Sequence, residues 1–174
     1  EISLGLVGSE MCIRDRYRPL HFAARSKSVE LVSLLVQARV NVDATGNGGI
    51  TALHLAGRRG AADCIEVLLA AGASLDARTS AGRRPFDLAL TRPYNRTWPL
   101  YLRAGAEIPT DNTWQALDDA LRDPYIVRVR NAGGFKKYEQ AHITRITAIL
   151  APTPRLPPEM VRKIVEFWLH AGYY

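Results

Sequence analysis

Three stretches of the chain are alike and lie at a constant spacing of 33 residues. RPLHFAA at residues 18–24 returns as TALHLAG at residues 51–57 and as RPFDLAL at residues 84–90. A second landmark has the same period, because LLVQARVNVDA is followed 33 residues later by VLLAAGASLDA and then by a degraded third copy, LYLRAGAEI. A fixed period of this length indicates a solenoid, in which each unit buries its apolar face only against its neighbours.

Each copy predicts a pair of short helices. Ala23, Ala56 and Ala89 recur on the first helix, where small side chains allow neighbouring helices to approach closely. The predicted apolar stripe of the second helix is Val29, Val32, Leu34 and Leu35 in the first copy, and Ile65, Val67, Leu68 and Leu69 in the second. Glycine follows that helix in the second and third copies and suits a left-handed cap, whereas Arg39 in the first copy predicts a looser cap.

The period and the TALHLA motif resemble the ankyrin repeat, with its TPLHxA signature, over residues 18–108. The resemblance implies an all-α solenoid of helix–turn–helix repeats joined by β-turn or hairpin loops. It also implies that His21 and His54 have a structural role, because the signature histidine of the family bonds to neighbouring backbone. Asp87 replaces that histidine in the third copy, and Pro93 and Pro99 are expected to disturb its second helix. We assign the repeats to residues 17–45, 46–78 and 79–110.

Residues 1–16, EISLGLVGSEMCIRDR, show no helix cap, apolar period or turn chemistry. Back-translation of LVGSEMCIRD gives CTC GTG GGC TCG GAG ATG TGT ATA AGA GAC, which resembles a transposase adapter used to build sequencing libraries. We interpret the segment as adapter-derived and disordered, the alternative being a disordered natural tail. The adapter interpretation makes the chain a fragment without its natural N-terminus, with Cys64 as its one authentic cysteine.

Residues 111–174 depart from the period and predict a helical extension. A helix capped by Asn112 or Thr113 is followed by one over residues 135–151, with Tyr138, Ile143, Ile146 and Ile149 as its buried side, and by a final helix with Met160, Ile164, Phe167 and Trp168 on one side. The extension resembles those of ankyrin-repeat proteins from single-celled algae and other protists. We expect it to form a helical cap on the end of the repeat stack. Alternatively, LPPEMVRKIVEF loosely resembles F-box and SOCS-box segments, which implies an adaptor of a ubiquitin ligase.

The composition describes an ordinary globular chain, with 47% hydrophobic residues and a formal net charge of +6. Two cysteines, Cys12 and Cys64, form no disulfide framework and lack zinc spacing, so we expect an intracellular protein of the cytoplasm or nucleus. Phosphate-binding glycine loops, nucleophile elbows and metal spacings are absent from the sequence. We therefore expect no enzyme activity, no cofactor and no bound metal. We also expect a monomer that does not interact with membranes. Cys64 is expected to be a small core residue.

The function predicted by the resemblance is protein–protein recognition through the concave groove and the turn tips. The positions that correspond are Arg25, Ser26, Asn47, Ile50, Arg58, Arg59, Ser80, Arg83, Thr91 and Arg92. Five of these ten are arginine, which favours an acidic protein or peptide as the partner. Two alternatives stay open: the charges only keep the array soluble, or the basic surface binds nucleic acid, although the aromatic residues Tyr125, Phe135, Tyr138, Phe167 and Trp168 are predicted to be core.

Overall fold

The computed structural model describes residues 17–92, 95–110 and 117–150, together with residues 157, 159, 160, 163 and 164. These residues form helices, turns and loops, and no strand occurs among them. The chain divides into two compact units, residues 1–106 and residues 107–174. None of the helices in the described part of the chain has the length and apolar character that crossing a membrane requires.

The described part of the first unit contains three pairs of helices. They are α1 (Pro19–Ser26) with α2 (Val29–Gln37), α3 (Ala52–Arg59) with α4 (Ala62–Ala70), and α5 (Pro85–Leu90) with α6 (Trp98–Arg103). Helices α1, α3 and α5 pack side by side and form what we call the inner row. Helices α2, α4 and α6 pack along its other side as the outer row. This arrangement confirms the predicted all-α helical-repeat solenoid.

The three alanines that recur at the 33-residue period lie between the helices of the inner row. Ala23, Ala56 and Ala89 are all buried, with Leu53 and Phe86 beside them in the core. Because an alanine side chain is a single methyl group, adjacent helix backbones can approach closely at these positions. The burial of these alanines agrees with their predicted role.

The ends of the outer helices follow the predicted caps. Gly72 and Gly105 have φ angles of 82° and 101°, and Arg39 adopts φ 55° at the corresponding place. The backbone bond that closes this cap measures 3.0 Å from Ala73 N to Leu68 O and 2.9 Å from Ala106 N to Tyr101 O, but 3.3 Å from Val40 N to Leu35 O. A side chain at Cβ makes the left-handed conformation less favourable, so the first cap is the loosest, as the sequence predicts.

The predicted stripe on α2 is wrong at Leu34, which is 61% exposed. Leu31 on the same helix is 51% exposed, whereas Cys64, its equivalent one repeat later, is 1% exposed. The exposure differs because the two helices have different positions in the outer row. Helix α4 packs against an outer helix on each side, whereas among the described residues α2 packs against one outer helix only. The prediction that Cys64 is a core residue is confirmed, and burial raises the pKa of its thiol.

The outer helix of the third repeat is shorter than its counterparts. Helix α6 begins at Trp98, with Pro99 at its first turn, after a 3₁₀ turn at Asn95–Thr97. Proline is tolerated in the first turn because its missing N–H would have no helical partner there. The predicted disturbance by Pro99 therefore takes the form of a later helix start, and Pro93 lies outside the described residues.

The second unit is built from α7 (Asp118–Leu121), α8 (Pro124–Asn131) and α9 (Phe135–Leu150) in its described part. Helices α8 and α9 pack against each other across Gly133 and Gly134, which have φ angles of 79° and 109°. Buried residues on the two helices are Tyr125, Ile126, Val129, Phe135 and Tyr138. These burials confirm the predicted core role of Tyr125, Phe135 and Tyr138.

One apolar position of α9 is predicted wrongly. Ile149 is 64% exposed and Ile143 and Ile146 are half-buried, because α9 extends well past the end of the eight-residue helix α8 that packs against it. The predicted cap at Asn112 or Thr113 lies outside the described residues, and so do Phe167 and Trp168. The capping role of this unit stays a prediction.

Candidate binding surface

Two buried histidines join each repeat to the next. The His21 ring accepts a hydrogen bond from Arg18 N at Nδ1 (3.1 Å) and donates from Nε2 to Ile50 O (2.9 Å). The His54 ring repeats this pattern, accepting from Thr51 N at Nδ1 (3.1 Å) and donating to Arg83 O (3.0 Å). Burial lowers the pKa of both rings, which keeps them neutral with the proton on Nε2. Both nitrogens of each ring are thus engaged, which gives these residues the structural role that the sequence implies.

The third repeat uses Asp87 in place of histidine. Its Oδ2 accepts from Arg84 N at 2.8 Å, and Arg84 Nη2 lies 3.5 Å from Oδ1. The carboxylate therefore forms the local contact at the start of α5 that the histidine rings form at α1 and α3. It has no N–H with which to donate to a following carbonyl group, so the link between repeats differs here.

The turns that precede α3 and α5 hold the histidine acceptors in place. In the first turn Gly46 N donates to Ile50 O (2.7 Å), and in the second turn Thr79 N donates to Arg83 O (3.0 Å). The two turns also contact each other, because Ser80 N donates to Gly48 O at 2.7 Å. The turn tips of adjacent repeats therefore form one continuous edge.

The ten residues predicted for partner binding lie in two sets on the first unit. Arg25, Ser26, Arg58 and Arg59 end α1 and α3, and Thr91 and Arg92 follow α5. Asn47, Ile50, Ser80 and Arg83 belong to the two turns. Seven of the ten are exposed, and Ile50, Arg83 and Thr91 are half-buried.

The inner-row residues are in register from one helix to the next. Arg25, Arg58 and Thr91 are equivalent positions, and so are Ser26, Arg59 and Arg92. We call the four arginines of these two rows, Arg25, Arg58, Arg59 and Arg92, the arginine face. Because α1, α3 and α5 pack side by side, the period places these arginines next to one another at the C-terminal ends of the inner helices.

An apolar row lies one helical turn before the arginine face. Phe22, Leu55 and Leu88 share the 33-residue register, and Phe22 and Leu88 are half-buried while Leu55 is buried. Arg25 lies with its guanidinium carbon 5.1 Å from the centre of the Phe22 ring, a cation–π contact. This row was not among the predicted binding residues, although the same period that located the arginines could have identified it.

In the first two repeats, charges of opposite sign occupy different rows of the stack, whereas α6, the outer helix of the third repeat, contains Arg103. Helices α1 and α3 contain no acidic residue, and the one acidic residue of α5, Asp87, is buried. Helices α2 and α4 contain no basic residue and carry the acidic residues Glu30, Asp63 and Glu66, all exposed. Among the described residues no carboxylate pairs with Arg58, Arg59 or Arg92. The arginine face is therefore a surface of one sign.

Other kinds of functional site, such as a metal site, have little support among the described residues. No group of three or more histidine, cysteine, aspartate or glutamate side chains there could hold a metal ion. His142 stacks on Tyr138 with ring centres 5.9 Å apart, and burial lowers its pKa. Of the segment LPPEMVRKIVEF, only Pro157, Glu159, Met160, Lys163 and Ile164 are described, and the remainder lies outside the described residues.

Comparison with known proteins agrees with the repeat architecture. Residues 4–79 match the family model of ankyrin repeats (three copies). The match ends where the third repeat begins, and that repeat is the one with Asp87 at the signature position and the shortened outer helix. Among curated proteins, none matches the chain.

Proposed function

We propose that this ankyrin-repeat protein is a non-catalytic recognition module, which binds an acidic segment of another protein through its arginine face and turn tips. Ankyrin repeats are typically interaction modules without catalytic activity, and solenoid repeats offer extended surfaces to their partners. The acidic character of the partner rests on one observation above the others. In the first two repeats the basic residues lie at the ends of the inner helices and the acidic residues lie on the outer helices.

This separation supports binding over a role in solubility alone. A surface that serves solubility carries both signs interspersed, so that no large field of one sign develops. Here the exposed charges at the ends of α1 and α3 and after α5 are all positive. Guanidinium groups hold carboxylates through paired hydrogen bonds, and a field of one sign speeds encounter with an acidic segment.

The remaining predicted residues complete the surface. Asn47 and Ser80 expose polar groups at the turn tips, and Ile50 adds apolar area next to the carbonyl that accepts from His21. Arg83 contributes a half-buried side chain at the equivalent place in the next turn. An acidic segment lying along the inner row would therefore meet arginines on one side and a polar edge on the other.

A comparison of two triple variants tests the proposal. The first, Arg58→Ala with Arg59→Ala and Arg92→Ala, removes three exposed arginines from the face. The matched control, Arg122→Ala with Arg130→Ala and Arg145→Ala, removes three exposed arginines from the second unit and changes the net charge equally. Binding of a fluorescein-labelled glutamate-rich peptide is measured by anisotropy at several salt concentrations.

We expect the first variant to bind the peptide about tenfold more weakly than the parent protein, since each exposed pair contributes roughly 0.2–1 kcal/mol. The control variant should bind like the parent, and the affinity of the parent should fall as salt rises. Equal losses in both variants would mean that net charge alone attracts the peptide, and the proposed site would be wrong.

A further inference from the structure

The arginine face has a spacing of its own, which restricts the shape of a ligand. Arg25 and Arg58 are equivalent residues of adjacent helices, and so are Arg59 and Arg92. Adjacent inner helices pack against each other and carry the buried alanines Ala23, Ala56 and Ala89, and packed helices have axes roughly 8–10 Å apart. Successive arginines of one row are therefore attached at intervals of about one helix–helix distance.

An extended chain reaches this distance in three residues. Each residue advances about 3.1 Å in polyproline II and up to roughly 3.4 Å in a strand, so three residues span about 9–10 Å. In polyproline II three residues also make one turn, which returns every third side chain to the same face. Carboxylates placed every third residue can thus meet successive arginines without bending the ligand.

A helical ligand could match the same interval only with carboxylates seven residues apart, because a helix rises about 1.5 Å per residue. Spanning the three described repeats would then take a helix of roughly fourteen residues, a length at which isolated helices are marginal in water. Acidic chains extend through self-repulsion, and polyproline II is a major conformer of unfolded chains. An extended ligand therefore loses less conformational freedom on binding.

We propose that the ligand of the arginine face is an extended acidic segment with a carboxylate at every third position. This inference rests on the proposed function and adds the conformation and the spacing of the partner. Phe22 and Leu88 are half-buried and lie one helical turn before the arginines, so small apolar residues between the carboxylates have a surface to contact. Nucleic acid fits this face less well, because Phe22 is the one aromatic residue in that row and its ring is engaged by Arg25.

Peptides that differ only in spacing test the proposal. Four labelled peptides contain the same number of glutamates and alanines, with the glutamates every third residue, every fourth residue, every seventh residue, or in one block. Binding to the whole protein is measured by anisotropy at about 0.15 M salt, with a single-stranded oligonucleotide as a fifth probe. The expected result is that the peptide with glutamate at every third position binds about tenfold more tightly than each of the other probes.

Changing one arginine of the face gives a second readout. Arg59→Ala removes the middle exposed residue of the row formed by Ser26, Arg59 and Arg92, and should reduce the preference for every-third spacing several-fold. Arg130→Ala, which removes an exposed arginine from the second unit, should leave that preference unchanged.

The outcomes separate the two proposals. If all four peptides bind equally and all lose affinity in the triple arginine variant, the acidic partner stands and the spacing is wrong. If no peptide binds, both proposals fall. Tighter binding of the seventh-residue peptide would replace the extended ligand with a helix, and tighter binding of the oligonucleotide would replace it with nucleic acid.

Discussion

At Gly57 the second repeat approaches the third repeat closely. A Cβ atom at this position would lie 2.5 Å from Tyr101 Oη, 3.2 Å from Pro85 O and 3.3 Å from Ala89 Cβ. Tyr101 is completely buried, and its hydroxyl donates to Leu53 O at 3.1 Å. Burial also raises the pKa of the phenol, so the group stays a hydrogen-bond donor. A glycine inside α3 thus makes room for a side chain of the third repeat.

Gly57→Ala tests this contact, because alanine normally stabilises a helix relative to glycine. Here we expect the free energy of unfolding to fall by about 1–3 kcal/mol, since the added methyl group meets packed atoms on three sides. The measurement is urea denaturation of the variant, of Tyr101→Phe and of the double variant. Removing the hydroxyl should make the double variant less destabilised than the sum of the single changes. An increase in stability for Gly57→Ala would contradict the account.

The histidine contacts could be predicted from the sequence, whereas the Gly57–Tyr101 contact could not. His21 and His54 occur in a motif that recurs at a fixed period, and each ring bonds to a turn that the same period locates. Tyr101 bonds to a residue 48 positions away, which no local pattern predicts. The one available signal is that tyrosine stands at position 101 where the earlier repeats have leucine.

The turns and helix ends are the elements that fix the distance between repeats. The Gly48 carbonyl accepts from Ser80 N at 2.7 Å, and the Asp43 carboxylate accepts from Ser74 N at 2.8 Å. The Asp43–Ser74 bond connects the first repeat to the second, and the Gly48–Ser80 bond connects the second repeat to the third. The histidines in turn connect the inner helices to the turns that follow.

A pair of glycines offers a matched test of the turn contact. Gly49 and Gly82 have nearly identical φ angles, 72° and 73°, so alanine carries a similar backbone penalty of about 1 kcal/mol at each. A Cβ at Gly49 would lie 2.9 Å from Arg78 O, whereas at Gly82 nothing lies within 4 Å. We expect Gly49→Ala to lower the free energy of unfolding by about 1–3 kcal/mol more than Gly82→Ala. If thermal or urea unfolding shows that both variants lose the same free energy of unfolding, the two turns do not pack closely.

The buried sides of α2 and α9 are predicted less accurately than those of the inner helices, because an apolar stripe in the sequence does not show which neighbours will cover it. Leu34 and Ile149 both continue an apolar period, and both are exposed. A period states which side of a helix is apolar, but burial also needs a neighbour along the whole length of that side. Val32 on α2 and Tyr138 on α9 have such neighbours and are buried.

At the scale of the whole molecule, the sequence determines the repeat architecture more fully than the partner. The period places Arg25, Arg58, Arg59 and Arg92 at or just after the ends of the inner helices, and the structure places the acidic residues of α2 and α4 on the outer row. Charge of one sign favours a class of ligand, because complementary potentials steer association and select against partners of like charge. The charge of the surface does not specify the sequence of the partner, because that sequence also depends on contacts that form only in the complex.

Mapping where an acidic segment binds tests the proposed binding surface directly. The ¹⁵N-labelled protein is titrated with the peptide that has glutamate at every third position, and backbone amide shifts are followed by NMR. We expect chemical-shift changes at the ends of α1 and α3, at Thr91 and Arg92, and at the turn residues Asn47–Ile50 and Ser80–Arg83. The chemical shifts of the amides next to Glu30, Asp63 and Glu66 on the outer row should not change. Shifts confined to the outer row, or to residues 117–150, would contradict the assignment of the binding surface.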